Sequence, residues 1–133
     1  NIARATLQSP KVYFFDTGLV RGDAGKRYEN LVACALLKHV EWQQDVLGKD
    51  TGLHYIRTKD EAEVDFCLSE GELLTDLVEC KLTDIKPHRA LARFAGEWPQ
   101  ARATQLVRDL RNDHDIDRIE VRAAAAWLNG LAA

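Results

Sequence analysis

Asp65, Glu79 and Lys81 are of the types that bind a divalent cation and activate water, and they fall in one short stretch. That stretch reads Glu63-Val-Asp-Phe-Cys-Leu68, Ser69-Glu-Gly-Glu72, then Leu73-Leu-Thr-Asp-Leu-Val-Glu-Cys-Lys81. Its composition predicts two antiparallel strands joined by a glycine turn. Side chains alternate faces along a strand, so Glu63, Asp65 and Cys67 point one way and Val64, Phe66 and Leu68 the other. On the second strand Glu79 and Lys81 share a face opposite Val78, Cys80 and Leu82. If the apolar sets of both strands cover a core, Asp65, Glu79 and Lys81 emerge together on the polar side.

Two carboxylates a few ångströms apart repel each other unless a cation sits between them. Mg²⁺ or Mn²⁺ prefers oxygen ligands and uses one or two carboxylates with substrate phosphate oxygens. The lysine can orient or help deprotonate an attacking water, or neutralise charge building on phosphate. The chemistry implied is metal-assisted phosphodiester hydrolysis. The bland alternative is an exposed Glu79–Lys81 ion pair contributing about 0–1 kcal/mol. Aspartate is a poor strand former, however, so Asp65 between Val64 and Phe66 asks for a reason.

Asp65, thirteen intervening residues and then Glu79-Cys80-Lys81 resembles the Asp…Glu-x-Lys signature of the PD-(D/E)XK nuclease superfamily. More narrowly, Lys11-Val-Tyr-Phe-Phe-Asp-Thr-Gly-Leu19, Tyr28-Glu-Asn-Leu-Val32, Tyr55-Ile-Arg-Thr58, Glu63-Val-Asp-Phe66 and Val78-Glu-Cys-Lys81 resemble domain of unknown function 4143. That domain forms the C-terminal part of many prokaryotic AAA-type ATPases. The resemblance implies an acid on the first helix, supplied by Glu29, that completes the acidic cluster. It also implies a metal contact from the Cys80 backbone carbonyl. Its implied partners are nucleic acid, chiefly DNA and weakly in isolation, and an upstream AAA-type ATPase domain of the same protein, in an arrangement compatible with oligomers. The alternative under the same resemblance is a non-catalytic DNA- or protein-docking module of that ATPase.

The elements that must hold this hairpin are legible around it. From about Lys26 to Val40, Tyr28, Leu31, Val32, Ala35, Leu36 and Val40 recur at helical spacing and predict an amphipathic helix. Glu29 lies about 100° from Tyr28 on that helix, on the flank of the apolar stripe. Leu53 to Arg57 reads as a strand pairing with the hairpin, followed by the charged turn Arg57, Lys59, Asp60 and Glu61, read as a solvated run or one whose Arg57 or Lys59 meets a phosphate. Pro87 opens a second helix with Leu91, Phe94, Ala95 and Trp98 on its apolar face. Lys86, Arg89 and Arg93 make a basic edge suited to a phosphate backbone, or simply a solvated face. Thr104 to Val107 and Ile119 to Arg122 are two more strands, separated by a polar loop from Asn112 to Asp117. Ala123 to Leu131 is a closing helix. Val12 to Phe15 reads as a brief strand ended by Asp16-Thr17-Gly18.

Together these predict an α/β domain with a mixed sheet flanked by helices. The order α-β-β-β-α-β is similar to the restriction-endonuclease-like core of the nuclease superfamily. With 133 residues, 46% hydrophobic and 29% charged, the chain suits one domain over 1–133. Residues 1–10, which begin without methionine, read as a lead-in from a missing upstream region. No Gly-x-x-x-x-Gly-Lys-Ser/Thr loop is present, so ATP hydrolysis is not assigned to this chain. No apolar run nears the roughly 18 residues that span a bilayer, and a cytoplasmic location is expected. Cys34, Cys67 and Cys80 lack zinc or disulfide spacing and read as buried thiols, Cys67 bordering the site. His39, His54, His88 and His114 lack ligand spacing and are read without a metal role. Asp76, Asp84 and Glu70 read as surface residues. A net charge of −3 argues against strong autonomous binding to nucleic acid, but not against a local basic patch.

Overall fold

The structure is a computed structural model that describes residues 7–8, 13 and 17–131. The lead-in 1–10 and the strand expected over Val12–Phe15 therefore lie, apart from Leu7, Gln8 and Tyr13, outside the described residues. Strand β1 (Leu7–Gln8) and a 3₁₀ turn (Thr17–Leu19) precede helix α1 (Ala24–Leu47). Then come β2 (Thr51–Arg57), β3 (Glu63–Glu70), β4 (Leu73–Lys81), helix α2 (Arg89–Glu97), β5 (Arg102–Val107), β6 (His114–Ile116), β7 (Ile119–Ala123) and helix α3 (Ala124–Asn129).

The strands form one sheet in the order β1-β2-β3-β4-β5-β7-β6. The β2, β3 and β4 pairings are antiparallel, whereas β4–β5 and β5–β7 are parallel. A parallel pair cannot be closed by a tight turn and needs a crossover, which α2 supplies between β4 and β5. The fold is therefore an α/β mixed sheet flanked by helices. The polar loop expected over Asn112–Asp117 contains β6, a short edge strand pairing antiparallel with β7.

Both faces of the sheet are covered, and this corrects the polar open face expected behind the hairpin. On one face α2 packs Ala90, Leu91, Phe94 and Ala95 against Val64, Cys67, Leu77, Ala103, Val107 and Val121. On the other, α1 packs Tyr28, Val32, Leu36 and Val40 against Leu53, Phe66, Leu68, Val78 and Leu106. Val64 joins the α2 side with Cys67 rather than the α1 side with Phe66 and Leu68. Irregular register in the β2–β3 ladder, between His54 and Ile56, accompanies that break in alternation.

Helix α1 outruns the expected Lys26–Val40 at both ends. Asp23 caps its start by accepting a hydrogen bond from the Lys26 amide at 2.9 Å. Its apolar stripe fades after Val40, but the helix continues until Gly48 takes a left-handed conformation at φ 64°. Leu31, expected in the stripe, is 48% exposed, and Asn30 is buried in its neighbourhood instead. Gly71, at φ 61°, makes the tight β3–β4 turn, so the strands run further into Ser69-Glu70 than the sequence suggested. Helix α2 starts one residue after its cap, His88, leaving Pro87 outside the helix. Among the described residues no helix is long and apolar enough to cross a membrane.

Candidate active site at the open end of the hairpin

The β3–β4 ladder runs from the Gly71 turn to the pair Phe66–Val78 and is there replaced by side chains. The Asp65 amide donates to Glu79 Oε2 at 3.3 Å, and the Cys80 amide donates to Asp65 Oδ2 at 2.9 Å. Lys81 Nζ donates to Glu79 Oε1 at 2.7 Å. The three residues singled out by spacing are thus brought together, laced by hydrogen bonds where backbone pairing ends. Glu79 is only 3% exposed, so its charge is compensated by these donors rather than by solvent.

Electrostatics follow from this packing. Burial disfavours the Lys81 ammonium, but the hydrogen bond and charge of Glu79 and the charge of Asp65 outweigh it. Its pKa stands above the ordinary lysine value. Lys81 is therefore a firm cation at neutral pH. Burial, reinforced by Asp65 and Glu79, raises the Cys67 and Cys80 thiols far above the ordinary range. Cys67 is fully buried under α2, and neither thiol is a nucleophile here.

A cleft of about 620 Å³ opens beside the cluster, lined by Asp60 to Glu63, Asp65, Glu79, His88, Arg89, Ala90 and Arg93. Of the predicted basic edge, Arg89 and Arg93 lie on its wall and Lys86 does not. Arg93 is engaged there, with Asp60 at 2.9 Å and Glu97 at 3.2 Å. The charged turn expected to be solvated thus touches α2 through Asp60. Glu29 is not among the residues lining the cleft. It accepts a hydrogen bond at 2.8 Å from Tyr13, whose ring lies 5.8 Å from that of Phe66 on the α1 side. Burial first, then Glu29 and Asp65, push the Tyr13 hydroxyl pKa up, so that hydroxyl lies within the field of both acids.

Two residues join the site that the sequence did not single out. Gln105 pairs in register with Glu79 across the parallel β4–β5 ladder and is fully buried. Its Oε1 accepts the His88 amide at 2.8 Å, and its Nε2 donates to the Asp84 and Lys86 carbonyls at 3.0 and 2.8 Å. One side chain thereby fixes the β4–α2 connection. His88, so held, directs its Nδ1 toward Glu79 Oε1 at 3.6 Å. The signal for Gln105 was its position: a strand buried on both faces reads as an apolar run, and an amide inside Thr104–Val107 marks a buried polar contact. Asp76, read as a surface residue, is half-buried, and burial raises its pKa.

Two carboxylates with a backbone carbonyl match the oxygen chemistry of Mg²⁺ or Mn²⁺. A strand residue projects its N–H and C=O from the same edge, so the Cys80 carbonyl is directed toward the β3 edge where Asp65 meets the Cys80 amide. Consistently, the next carbonyl, that of Lys81, points the other way and accepts from the Arg108 amide. Among the described residues no three His, Cys, Asp or Glu side chains already stand as a ligand set. The cation at the centre of the cluster is Lys81.

A family described as a domain of unknown function (DUF4143) matches residues 24–125. No curated protein matches the chain. Among solved structures, a chain from the refined half-complex of a tetradecameric assembly of Thermococcus gammatolerans McrB AAA+ hexamers with bound McrC is similar, at 14% identity and a TM-score of 0.47. That match covers 76% of this chain and 28% of the other, so the present chain spans less than a third of that neighbour's length.

Proposed function

This chain belongs to the DUF4143 family, and from the geometry of its hairpin we propose that it is a PD-(D/E)XK nuclease-like domain with a restriction-endonuclease-like core. Its activity is metal-dependent hydrolysis of a phosphodiester in nucleic acid. The observation that carries this reading is the convergence of Asp65, Glu79 and Lys81 beside an open cleft, where the β3–β4 ladder stops. Asp65, Glu79 and the Cys80 carbonyl would hold Mg²⁺ or Mn²⁺, which supplies Lewis acidity toward a phosphate oxygen and a more acidic bound water.

The chain's own residues do the positioning. Asp65 and Glu79 are fixed by amide donors, so their oxygens are aimed before substrate arrives. Lys81, charged and poised on Glu79, offsets negative charge on a phosphate. Its raised pKa favours this role over deprotonating water. Arg89, exposed on the cleft wall, and Lys86, in the connection leading to α2, are suited to contact flanking phosphates. Glu29, tied to Tyr13, contributes negative field from the α1 side. By the sequence resemblance, the domain works as the C-terminal part of an AAA-type ATPase.

A second reading is a docking module of that ATPase without catalysis. It is favoured by the state of Glu79, which is buried and already neutralised by Lys81. The two readings separate when the chain is incubated with Mn²⁺ and single-stranded, duplex or branched DNA. Cleavage that disappears in Glu79→Ala and Lys81→Ala supports hydrolysis. Cleavage no greater than that of the variants, alongside binding to the ATPase portion, supports docking.

A further inference from the structure

A second cavity, of about 410 Å³, lies on the α1 side of the sheet, walled by Tyr28 and Leu31 of α1, Ala125 and Leu128 of α3, and the arginines Arg27 and Arg108. Its volume falls in the range of about 300–1,000 Å³ that small-ligand sites occupy. Leu31 departs from the buried stripe of α1 here, on the cavity wall. The Tyr28 hydroxyl donates to the Leu106 carbonyl at 3.0 Å, which leaves the two exposed guanidiniums as the polar groups facing a ligand. Arg108 is paired with Asp109 at 2.8 Å, an exposed contact that a phosphate can replace. The cavity adjoins the acidic cluster, since the Arg108 amide donates to the Lys81 carbonyl at 3.0 Å. Burial first, then Cys80 and Asp65, push the Tyr28 hydroxyl pKa up while Arg108 opposes them, so that hydroxyl lies within the field of both sites. Cleft and cavity thus open on opposite faces of the sheet where β4 and β5 end.

We propose that this cavity is a subsite for an unpaired nucleotide flanking the phosphate at the Asp65–Glu79–Lys81 cluster, with its base in the apolar hollow and its phosphate on Arg27 and Arg108. This rests on the nucleic-acid reading above and narrows the substrate class to single-stranded, overhanging or branched nucleic acid. Two cations beside an apolar hollow match the alternation of phosphate and base along a single strand. A paired base is held in the duplex stack and reaches such a cavity only by being flipped out of it. Apolar walls accept any base, and a guanidinium both stacks on a base and pairs with phosphate, so the subsite tolerates sequence.

Fluorescence anisotropy with a labelled oligonucleotide and no added metal separates binding from cleavage. A single strand is compared with the same backbone made abasic and with a blunt duplex. The intact strand should bind on the order of tenfold more tightly than the abasic one. Leu31→Gln makes the wall polar and Ala125→Leu fills the hollow. Each replaces an exposed residue, so the fold is retained, and each should abolish the tenfold difference while leaving duplex binding unchanged. Arg27→Gln should bring the logarithmic salt slope of the single strand about 0.7 closer to zero. Equal binding of intact and abasic strands overturns the subsite, as does a difference that survives both wall variants. Glu79-dependent cleavage alongside either result leaves hydrolysis standing without it. A base-dependent difference lost in the wall variants, with no cleavage, supports the subsite and removes the hydrolysis. Loss of binding to the ATPase portion in Leu31→Gln, with single-strand binding unchanged, overturns the subsite and assigns the cavity to a protein partner.

Discussion

Gln105 meets three backbone groups of the β4–α2 connection with one amide, using its carbonyl for the His88 N–H and its NH₂ for two carbonyls. No apolar residue of similar volume can do this. Gln105→Leu would keep the packing between β4 and β5 but strand those groups, and the expected loss is about 2–3 kcal/mol of unfolding free energy. Chemical denaturation measures it, and a loss under about 0.5 kcal/mol would mean that water replaces the amide at no cost. Gln105→Glu separates the roles, since a carboxylate can accept from His88 but cannot donate to Asp84 and Lys86. With an uncompensated charge buried against those two carbonyls, it should be at least as destabilising as Gln105→Leu.

At the scale of elements, the hairpin was legible because its signals agree. Alternation and a glycine turn both specify β3 and β4, and the same alternation placed Asp65, Glu79 and Lys81 on one side. What alternation could not reveal was that α2 covers that side, because a period of two reports which residues share a face and not what lies above it. Val64 departs from the pattern where the β2–β3 register shifts, a tertiary event with no local signature. The end of α1 was missed because Glu41 to Leu47 extends beyond the buried stripe, so periodicity stopped before the helix did. His88 and Gln105 escaped for a related reason: each acts through a partner distant in sequence. Helix α2 itself is nine residues long, too short to persist without packing. Its anchor is Phe94, buried and stacked on Trp98 at 5.5 Å. Phe94→Ala should lower unfolding free energy by about 3–5 kcal/mol. Amide exchange should accelerate in α2 and the Asp84–His88 connection before the β3–β4 ladder. Uniform acceleration throughout would show instead that α2 and the sheet open only together. The exposed Arg93–Asp60 pair cannot hold the helix in its place, being worth about 0–1 kcal/mol.

Over the whole molecule, a net charge of −3 sets how nucleic acid can engage the cleft. Like charge repels the approaching backbone at long range, so attachment must come from a few cations near the site. Lys86 and Arg89 are exposed, whereas Arg93 is held by Asp60 and Glu97. Two phosphates neutralised by these two residues would release about two counterions. The logarithm of the duplex binding constant should then fall against the logarithm of salt with a slope near −2. Between 50 and 200 mM salt that amounts to roughly a tenfold loss, against the 10³–10⁵ expected for a protein making 6–10 phosphate contacts. Arg89→Ala should bring the slope about one unit closer to zero and weaken binding similarly for unrelated sequences, because phosphate contacts carry no base information. Fluorescence anisotropy across a salt series reads both quantities. A native slope steeper than about −5 would place the main contacts on cations away from this cleft. A slope unchanged by Arg89→Ala would remove the α2 edge from the nucleic-acid interface, leaving the Asp65–Glu79–Lys81 cluster without the phosphate grip that its proposed chemistry requires.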